Sequence, residues 1–292
     1  MVTMKNKFNT NISAIIFSII LLFPSIAITQ DNSLKFMVIS DIHISNDQSK
    51  DERLISLINE INSGKFSDID LLVITGDNVS SYYSKRNDGD RLENNRTLKL
   101  MSILKKISKP YLMALGNHDY KIDRNKDSDA PFSIDEINEI EKLWKDHAGL
   151  EPYYSMEING YKMIILNSMR GMYLNRRFDP EQMNWLADQM KENIPVFLFF
   201  HHPAQSDNFK IWGKPKDLAT PENEEKFFTI LAKYKSNIKG IFVGHGHMWI
   251  SDTLFNTIPV YETASFGEGN GLNFYRVSVD ELGKVKVKKN SK

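Results

Sequence analysis

The chain has 292 residues, with 37 basic against 37 acidic side chains and 41% hydrophobic residues. That is enough apolar material for one large domain or two small ones. The even balance gives no whole-molecule reason to expect a nucleic-acid polymer or an anionic membrane as partner. There is no cysteine, which excludes disulfides, thiolate zinc sites, iron–sulfur clusters and cysteine nucleophiles, so any metal must be held by His, Asp, Glu, Asn or Tyr.

The first predicted element is a targeting segment. Lys5 and Lys7 precede the apolar run ISAIIFSIILLF at 12–23, and Pro24, Ala27 and Thr29 follow it. Positive, then apolar, then small is the order of a secretory signal. Residues 1–29 therefore read as a signal peptide and 30–292 as one mature domain, secreted or periplasmic, with no stable membrane partner once cleaved. An uncleaved anchor is the rival, but the run reaches only about 17 residues against the ~20 that a spanning helix needs. Cleavage would remove Lys5 and Lys7 and no acid, leaving a formal charge of −2.

Short β-rich runs then alternate with helical patterns. Strands are expected at Lys35–Ser40, Asp70–Thr75, Pro110–Ala114, Lys162–Asn167, Pro195–Phe200, Ile238–Val243, Ile258–Glu262, Asn273–Val279 and Val285–Val287. Near-continuous apolar runs such as LLVIT and VFLFF imply strands covered on both faces. Helices are expected over Asp51–Ile61, across about Glu93–Ile107, after the capping box Ser133/Glu136, after Asp179-Pro180, and from Thr220-Pro221 with its following acids. Strand–helix alternation predicts an α/β fold. The polar stretches Val79–Arg91 and Tyr120–Ser133 read as surface loops, and the basic end KVKVKKNSK as a solvated tail.

Five short segments each follow an apolar strand: Asp41-Ile42-His43, Gly76-Asp77-Asn78, Gly116-Asn117-His118-Asp119, His201-His202-Pro203 and Gly244-His245-Gly246-His247. Ligands of an α/β sheet bind at the carboxyl ends of its strands, so segments far apart in sequence can converge there. Imidazole and carboxylate without sulfur suit a hard or borderline metal. Asp-x-His and His-x-His put both side chains on one side if extended, and the flanking glycines alternatively allow tight turns that swing both inward. So many donors exceed the needs of one tetrahedral ion and suit two ions sharing a carboxylate. His147 stands apart, near the end of the Ser133-capped helix, and reads as a surface residue favoured by the helix dipole.

In their order and spacing the five segments resemble the signature of the calcineurin-like metallophosphoesterases: D-x-H, G-D, G-N-H-[DE], a histidine after an apolar strand, and G-H-x-H. The resemblance runs from about Leu34 to Val279, and DPEQMNWLADQM is similar to a helix of the phosphodiesterase-like branch. It implies a two-layer mixed β-sandwich flanked by helices (α/β/β/α) around two divalent or trivalent ions, Mn, Fe or Zn. Carried onto this chain, Asp41, His43, Asp77 and His247 would hold one ion, and Asp77, Asn117, His201 and His245 the other, with Asp77 bridging. The first histidine of the H-x-P block is the family's ligand, so His201 is favoured over His202. His118, with Asn117, would face a substrate phosphate, and Asp119 would orient His118. The resemblance implies hydrolysis of a small phosphate mono- or diester by attack of a metal-bridging hydroxide, the alternative being a non-catalytic metal- or phosphate-binding protein on the same scaffold. Purple acid phosphatases resemble the set but carry D-x-G first and a tyrosine three residues after the second-block aspartate. Here His43 and Ser80 hold those places, which points to the phosphodiesterase or nucleotidase-like branch. Arg170, Arg176, Arg177 and Tyr173 are candidate substrate contacts, with ordinary surface roles equally open.

Overall fold

The computed structural model describes residues 33–125, 132–208, 217–269 and 271–291. The expected signal peptide lies outside these residues. Among the described residues no helix is long and apolar enough to cross a membrane.

Two mixed sheets stack face to face. In the first, β1 (Leu34–Ile39), β2 (Leu71–Ile74) and β3 (Tyr111–Met113) run parallel. β10 (Asn273–Val279) pairs antiparallel with β1, and β11 (Val285–Ser291) antiparallel with β10. In the second, β5 (Tyr161–Ile165), β6 (Val196–Phe199), β7 (Ile238–Val243) and β9 (Ile258–Glu262) run parallel. Antiparallel strands β4 (Tyr154–Ile158) and β8 (Ile250–Leu254) close its two edges.

Side-chain alternation builds the layers. Phe36 and Val38 of β1, with Leu71 and Val73 of β2, face the second sheet and meet Met163, Ile165, Phe197, Phe199 and Phe242. Phe36 meets Phe197, Phe199 and Phe242 edge-on, at centroid distances of 5.0, 5.9 and 5.8 Å, the geometry ring quadrupoles favour. The intervening residues Met37, Ile39, Leu72 and Ile74 pack outward on helices α1 (Gln48–Asn62), α2 (Arg96–Leu104) and α3 (Ile134–Ala148). On the far side, Ile164, Leu198 and Ile241 pack on α4 (Pro180–Gln189) and α5 (Glu225–Lys233). This is the expected α/β/β/α arrangement, and continuous apolar runs were required because both faces of these strands are covered.

Several expectations need correction. β4 and β8 were missed: YSMEI and ISDTL are edge strands, half-buried and polar, without an apolar run. A signal for β4 was present in Asn159-Gly160, both at positive φ, which forms the two-residue hairpin turn into β5. The last helix begins at Glu225, not Thr220; Thr220 and Asn223 instead close a turn on each other's side chains and amides. Val79–Tyr83 is not surface: Val79, Ser81 and Tyr82 are fully buried and Tyr83 nearly so. The basic end is an ordered edge strand rather than a solvated tail. His147 is half-buried against the hydroxyl of Tyr82, with Asp90 at 3.7 Å.

Candidate metal centre

The five segments leave the carboxyl ends of β1, β2, β3, β6 and β7 and meet. Backbone pairing of β1 with β2 continues past both strands, from Asp41 N to Gly76 O (3.0 Å), His43 N to Asp77 O (2.9 Å) and Ile44 N to Asn78 O (3.0 Å). Asp41, His43, Asp77, His245 and His247 all have positive φ, between 50° and 77°. Such a conformation is costly for a side chain with a Cβ and persists only when the surroundings impose it. Five of the nine such non-glycine residues among the described ones fall on expected ligands, so the short motifs are turns that swing their side chains inward, not extended segments. Gly76 is needed here as glycine: its φ is +103°, and a Cβ would lie 2.6 Å from His201 Nδ1.

All seven expected ligand side chains come together. Around the first position, His247 Nε2 lies 3.2 Å from Asp41 Oδ1 and 3.3 Å from His43 Nε2, and His43 Nε2 is 3.7 Å from Asp77 Oδ2. Around the second, His201 Nε2 lies 3.3 Å from Asp77 Oδ2 and 3.2 Å from Asn117 Oδ1, and His245 Nδ1 is 3.2 Å from the same Asn117 oxygen. Asp77 belongs to both groups. Asp41, Asp77 and His201 are almost or wholly inaccessible to solvent.

These atoms fit a cation better than each other. His201 Nδ1 faces the Thr75 carbonyl at 3.0 Å and must carry a proton to bond it, which leaves an Nε2 lone pair opposite two oxygens. His43 and His247 oppose nitrogen to nitrogen. Buried Asp41 Oδ1 has no hydrogen-bond donor of good geometry, a costly arrangement unless a cation answers it. Protonation shows the same need. Burial pushes the His201 imidazole down, but the Asp77 carboxylate outweighs it and lifts the pKa to about 9, so a proton stands where a cation would. Burial raises Asp77, yet the imidazolium of His201 holds it below the usual carboxylate range. His43 is driven down to about 4, chiefly by burial, against the pull of Asp77 and Asp41, and so offers a neutral lone pair.

Two expected roles sit differently. His118 is beside the centre, its ring 4.7 Å from that of His43, and its backbone N–H donates to Asp77 Oδ1 at 2.9 Å. The ring is oriented by Ser80, whose carbonyl lies 3.0 Å from Nδ1, and not by Asp119. Asp119 is fully buried and accepts instead from Gly116 N, Asn78 N, Asn78 Nδ2 and Val79 N, at 2.8–3.2 Å. It ties the β2 and β3 turns together. Burial lifts its pKa to about 7 even so, with Asp77 adding to the rise. Of the candidate substrate contacts, Arg170 is paired with Glu141, Asp179 and Glu181, and Arg177 with Asp217. Arg176 is exposed and Tyr173 leans on the core.

Sequence reading passed over an outer ring of acceptors. Asp217 Oδ2 lies 3.2 Å from His245 Nε2, Glu268 Oε1 lies 3.1 Å from His247 Nδ1, and Ser168 Oγ lies 2.8 Å from Nδ1 of His202. No local motif marks any of them.

The sequence family described as calcineurin-like phosphoesterase matches residues 34–249. The chain belongs to that family. A probable cyclic nucleotide phosphodiesterase of Fibrobacter succinogenes is 27% identical to this phosphoesterase over 223 residues, 73% of either chain. A second protein of that description, from Psychrobacter, is 26% identical over 202 residues, and the match covers 68% of this chain but 52% of that one. Among solved structures, a dimetal phosphatase from Danio rerio superposes with a TM-score of 0.61 at 14% identity, covering 88% of this chain and 99% of its own. A putative 5′-nucleotidase from Staphylococcus aureus gives 0.51 at 15%, covering 88% and 53%. At such identities these structures speak for the fold alone. The family depends on a dinuclear metal centre, and membership marks this chain as a metal-dependent phosphoester hydrolase.

Proposed function

We propose that the protein is an exported phosphoesterase that hydrolyses small phosphate esters, with diesters of the cyclic nucleotide class the first to test. The observation that carries the reading is the convergence of seven donors from five strand ends, with imidazole nitrogens opposed to buried oxygens and to one another. The relatives' names supply the substrate class. In this reading Asp41, His43 and His247 would hold one ion and Asn117, His201 and His245 the other, with Asp77 shared between the two groups. Two bound ions supply an acidified water at neutral pH and a positive field for phosphate oxygens. The chain's own groups do the rest. Asn117 is a neutral donor and leaves the centre more cationic than a carboxylate would. His118, its Nδ1 taken by Ser80 O, would present Nε2 to the phosphate or leaving oxygen, and if protonated there as the imidazolium would supply the proton that the leaving oxygen takes. Asp119 fixes the turn that places both.

The test is a panel of an aryl phosphate monoester, an aryl diester and 3′,5′-cyclic nucleotides. It is run with Mn²⁺ and after chelation, with metal analysis on the same sample. Diester turnover that disappears on chelation is expected. Full metal occupancy with no turnover of any ester would favour the binding-protein alternative. Export rests on residues 1–29; N-terminal sequencing of the protein from fractionated cells checks it, and an intact terminus in a soluble cytoplasmic fraction would overturn it.

A further inference from the structure

Each histidine that faces the centre has two ring nitrogens, and only the one without a proton can bind a metal. Which nitrogen that is depends on what the other one meets. In the Gly-His-Gly-His turn the two histidines meet their outer acceptors in opposite senses. His245 turns Nε2 outward to Asp217 and Nδ1 inward to Asn117 Oδ1. His247 turns Nδ1 outward to Glu268 and Nε2 inward to Asp41 and His43.

Both residues are held by arginines outside the centre, Asp217 through its carboxylate and backbone carbonyl and Glu268 through its backbone carbonyl alone. The Arg177 guanidinium approaches Asp217 Oδ1 at 3.8 Å, and its Nε donates to the Asp217 carbonyl at 3.1 Å. Arg53, on α1, donates to the carbonyls of Phe266 (2.9 Å) and Glu268 (2.8 Å) and also to that of Gly269. That clamp fixes the loop from which Glu268 reaches His247. Asp217 lies 28 residues before His245 and Glu268 21 after His247, so each is a separate loop brought to the turn by the fold.

We propose that Asp217 and Glu268 are positioning residues that set opposite tautomers in the one turn, Nε2–H in His245 and Nδ1–H in His247. They thereby assign Nδ1 of the first and Nε2 of the second to the two metal positions. The inference rests on His245 and His247 being ligands, as read above. Two turn residues separated only by Gly246 and in the same left-handed conformation, φ 77° and 57°, would thus serve two different ions. Without Asp217, His245 gains by moving its proton to Nδ1 and donating to Asn117 Oδ1, which blocks the inward nitrogen. Without Glu268, His247 can place its proton on Nε2 against Asp41, with the same result at the other position. Carboxylates also make the ring nitrogens more basic toward the ion than a carbonyl would.

The experiment uses the full chain freed of metal by chelation. Long-range ¹H–¹⁵N spectra of ¹⁵N-histidine-labelled protein read the tautomers directly, and Mn²⁺ titration reads the two affinities. Wild-type protein should show His245 as Nε2–H and His247 as Nδ1–H and take up two ions. Asp217→Ala should switch His245 alone and weaken one ion about 10–100-fold, with the other unchanged. Glu268→Ala should do the converse. Asp217→Asn and Glu268→Gln keep an acceptor oxygen, so they should keep the tautomers and recover much of the affinity. These conservative variants also carry the test if either alanine variant folds poorly. Unchanged tautomers and affinities in the alanine variants, with two ions bound by the wild type, would overturn the role of the carboxylates alone. A wild-type protein that takes up no second ion, or a His245→Ala variant that still binds two, would overturn the ligand reading beneath it.

Discussion

His118 and the His201–His202 pair show how much single side chains decide. His118 hydrogen-bonds no expected ligand through its ring nitrogens, although one lies within 4.8 Å of the donor atoms of His43 and Asp77, and its Nδ1 is spent on Ser80 O. His118→Ala should therefore lower kcat by roughly 10²–10⁴-fold while two ions remain bound; metal loss on elemental analysis would make it a ligand instead. His201 faces Asp77 and Asn117, whereas His202 bonds Ser168 and sets its ring 4.4 Å from that of His245, tilted by 48°. His201→Ala should cost an ion and nearly all turnover. His202→Ala should keep both ions and lose less, and the reverse order in metal content would show that the two have been exchanged. Removing the shared charge with Asp77→Asn should bring metal below two per chain and abolish turnover, and near-wild-type activity would end its bridging role. These residues were legible in the sequence because each sits within a few positions of a strand end, Asp77 and His118 with a glycine close by. Asp217, Glu268 and the Ser80 carbonyl were not, since what recruits them is a distance across loops that no spacing encodes. The resemblance implied that Asp119 orients His118, but on the 3₁₀ turn His118–Tyr120 the Asp119 side chain points elsewhere, to four amide donors.

At the level of elements, α3 and α4 were found through their caps, α1 through its apolar face and the buried strands through apolar runs, while the cap read at Thr220 misplaced the start of α5. Asp47, Asn95, Ser133 and Asp179 each accept an amide of the first turn, and Ser133 with Glu136 completes the capping box. Edge strands β4 and β8 escaped because half-buried pleats tolerate polar residues on one face. What joins α3 to the loop before α4 was also hidden. Tyr120 donates to Glu141 Oε1 at 2.7 Å and accepts from Asn167 Nδ2 at 2.7 Å, while Arg170 bonds Glu141 and, at 2.9 Å, Asp179, the N-cap of α4. Arg170 thus serves the scaffold rather than a substrate. Arg170→Ala leaves the buried Glu141 facing Tyr120 without its countercharge. Such a broken pair costs about 3–5 kcal/mol, to be read as a lower urea midpoint. Because Arg170 touches no expected ligand, KM for the preferred ester should stay within about twofold; a large rise in KM with unchanged stability would return it to substrate binding.

At the scale of the whole molecule, the two sheets and the centre answer to different forces. The layers around Phe36 and the helix-covered faces are apolar and complete without any ion. The centre is the opposite: Asp41, Asp77 and Asp119 are buried within one region, and five strained turn residues surround it. Zero cysteine and an even charge balance, which at first only excluded chemistries, now fit a protein that must draw in an anionic ester locally through His- and Asp-held cations. Removing those cations should leave the fold and lower its stability. An ion bound by the native state alone contributes RT ln(1 + [M]/Kd), about 2.7 kcal/mol at a hundred times Kd. Two ions at that ratio contribute roughly twice as much, on the order of 10–20 °C in melting midpoint for a domain of this size. Chelated protein should therefore keep its far-ultraviolet circular dichroism at 25 °C yet melt well below the Mn²⁺-loaded form, and the gap should widen as free Mn²⁺ is raised. Asp77→Asn should melt with a smaller Mn²⁺-dependent gap than wild type, because the group shared by both positions is gone. Equal melting points with and without metal at saturating Mn²⁺ would mean that no ion is bound there, since a ligand that binds the folded chain must raise its stability.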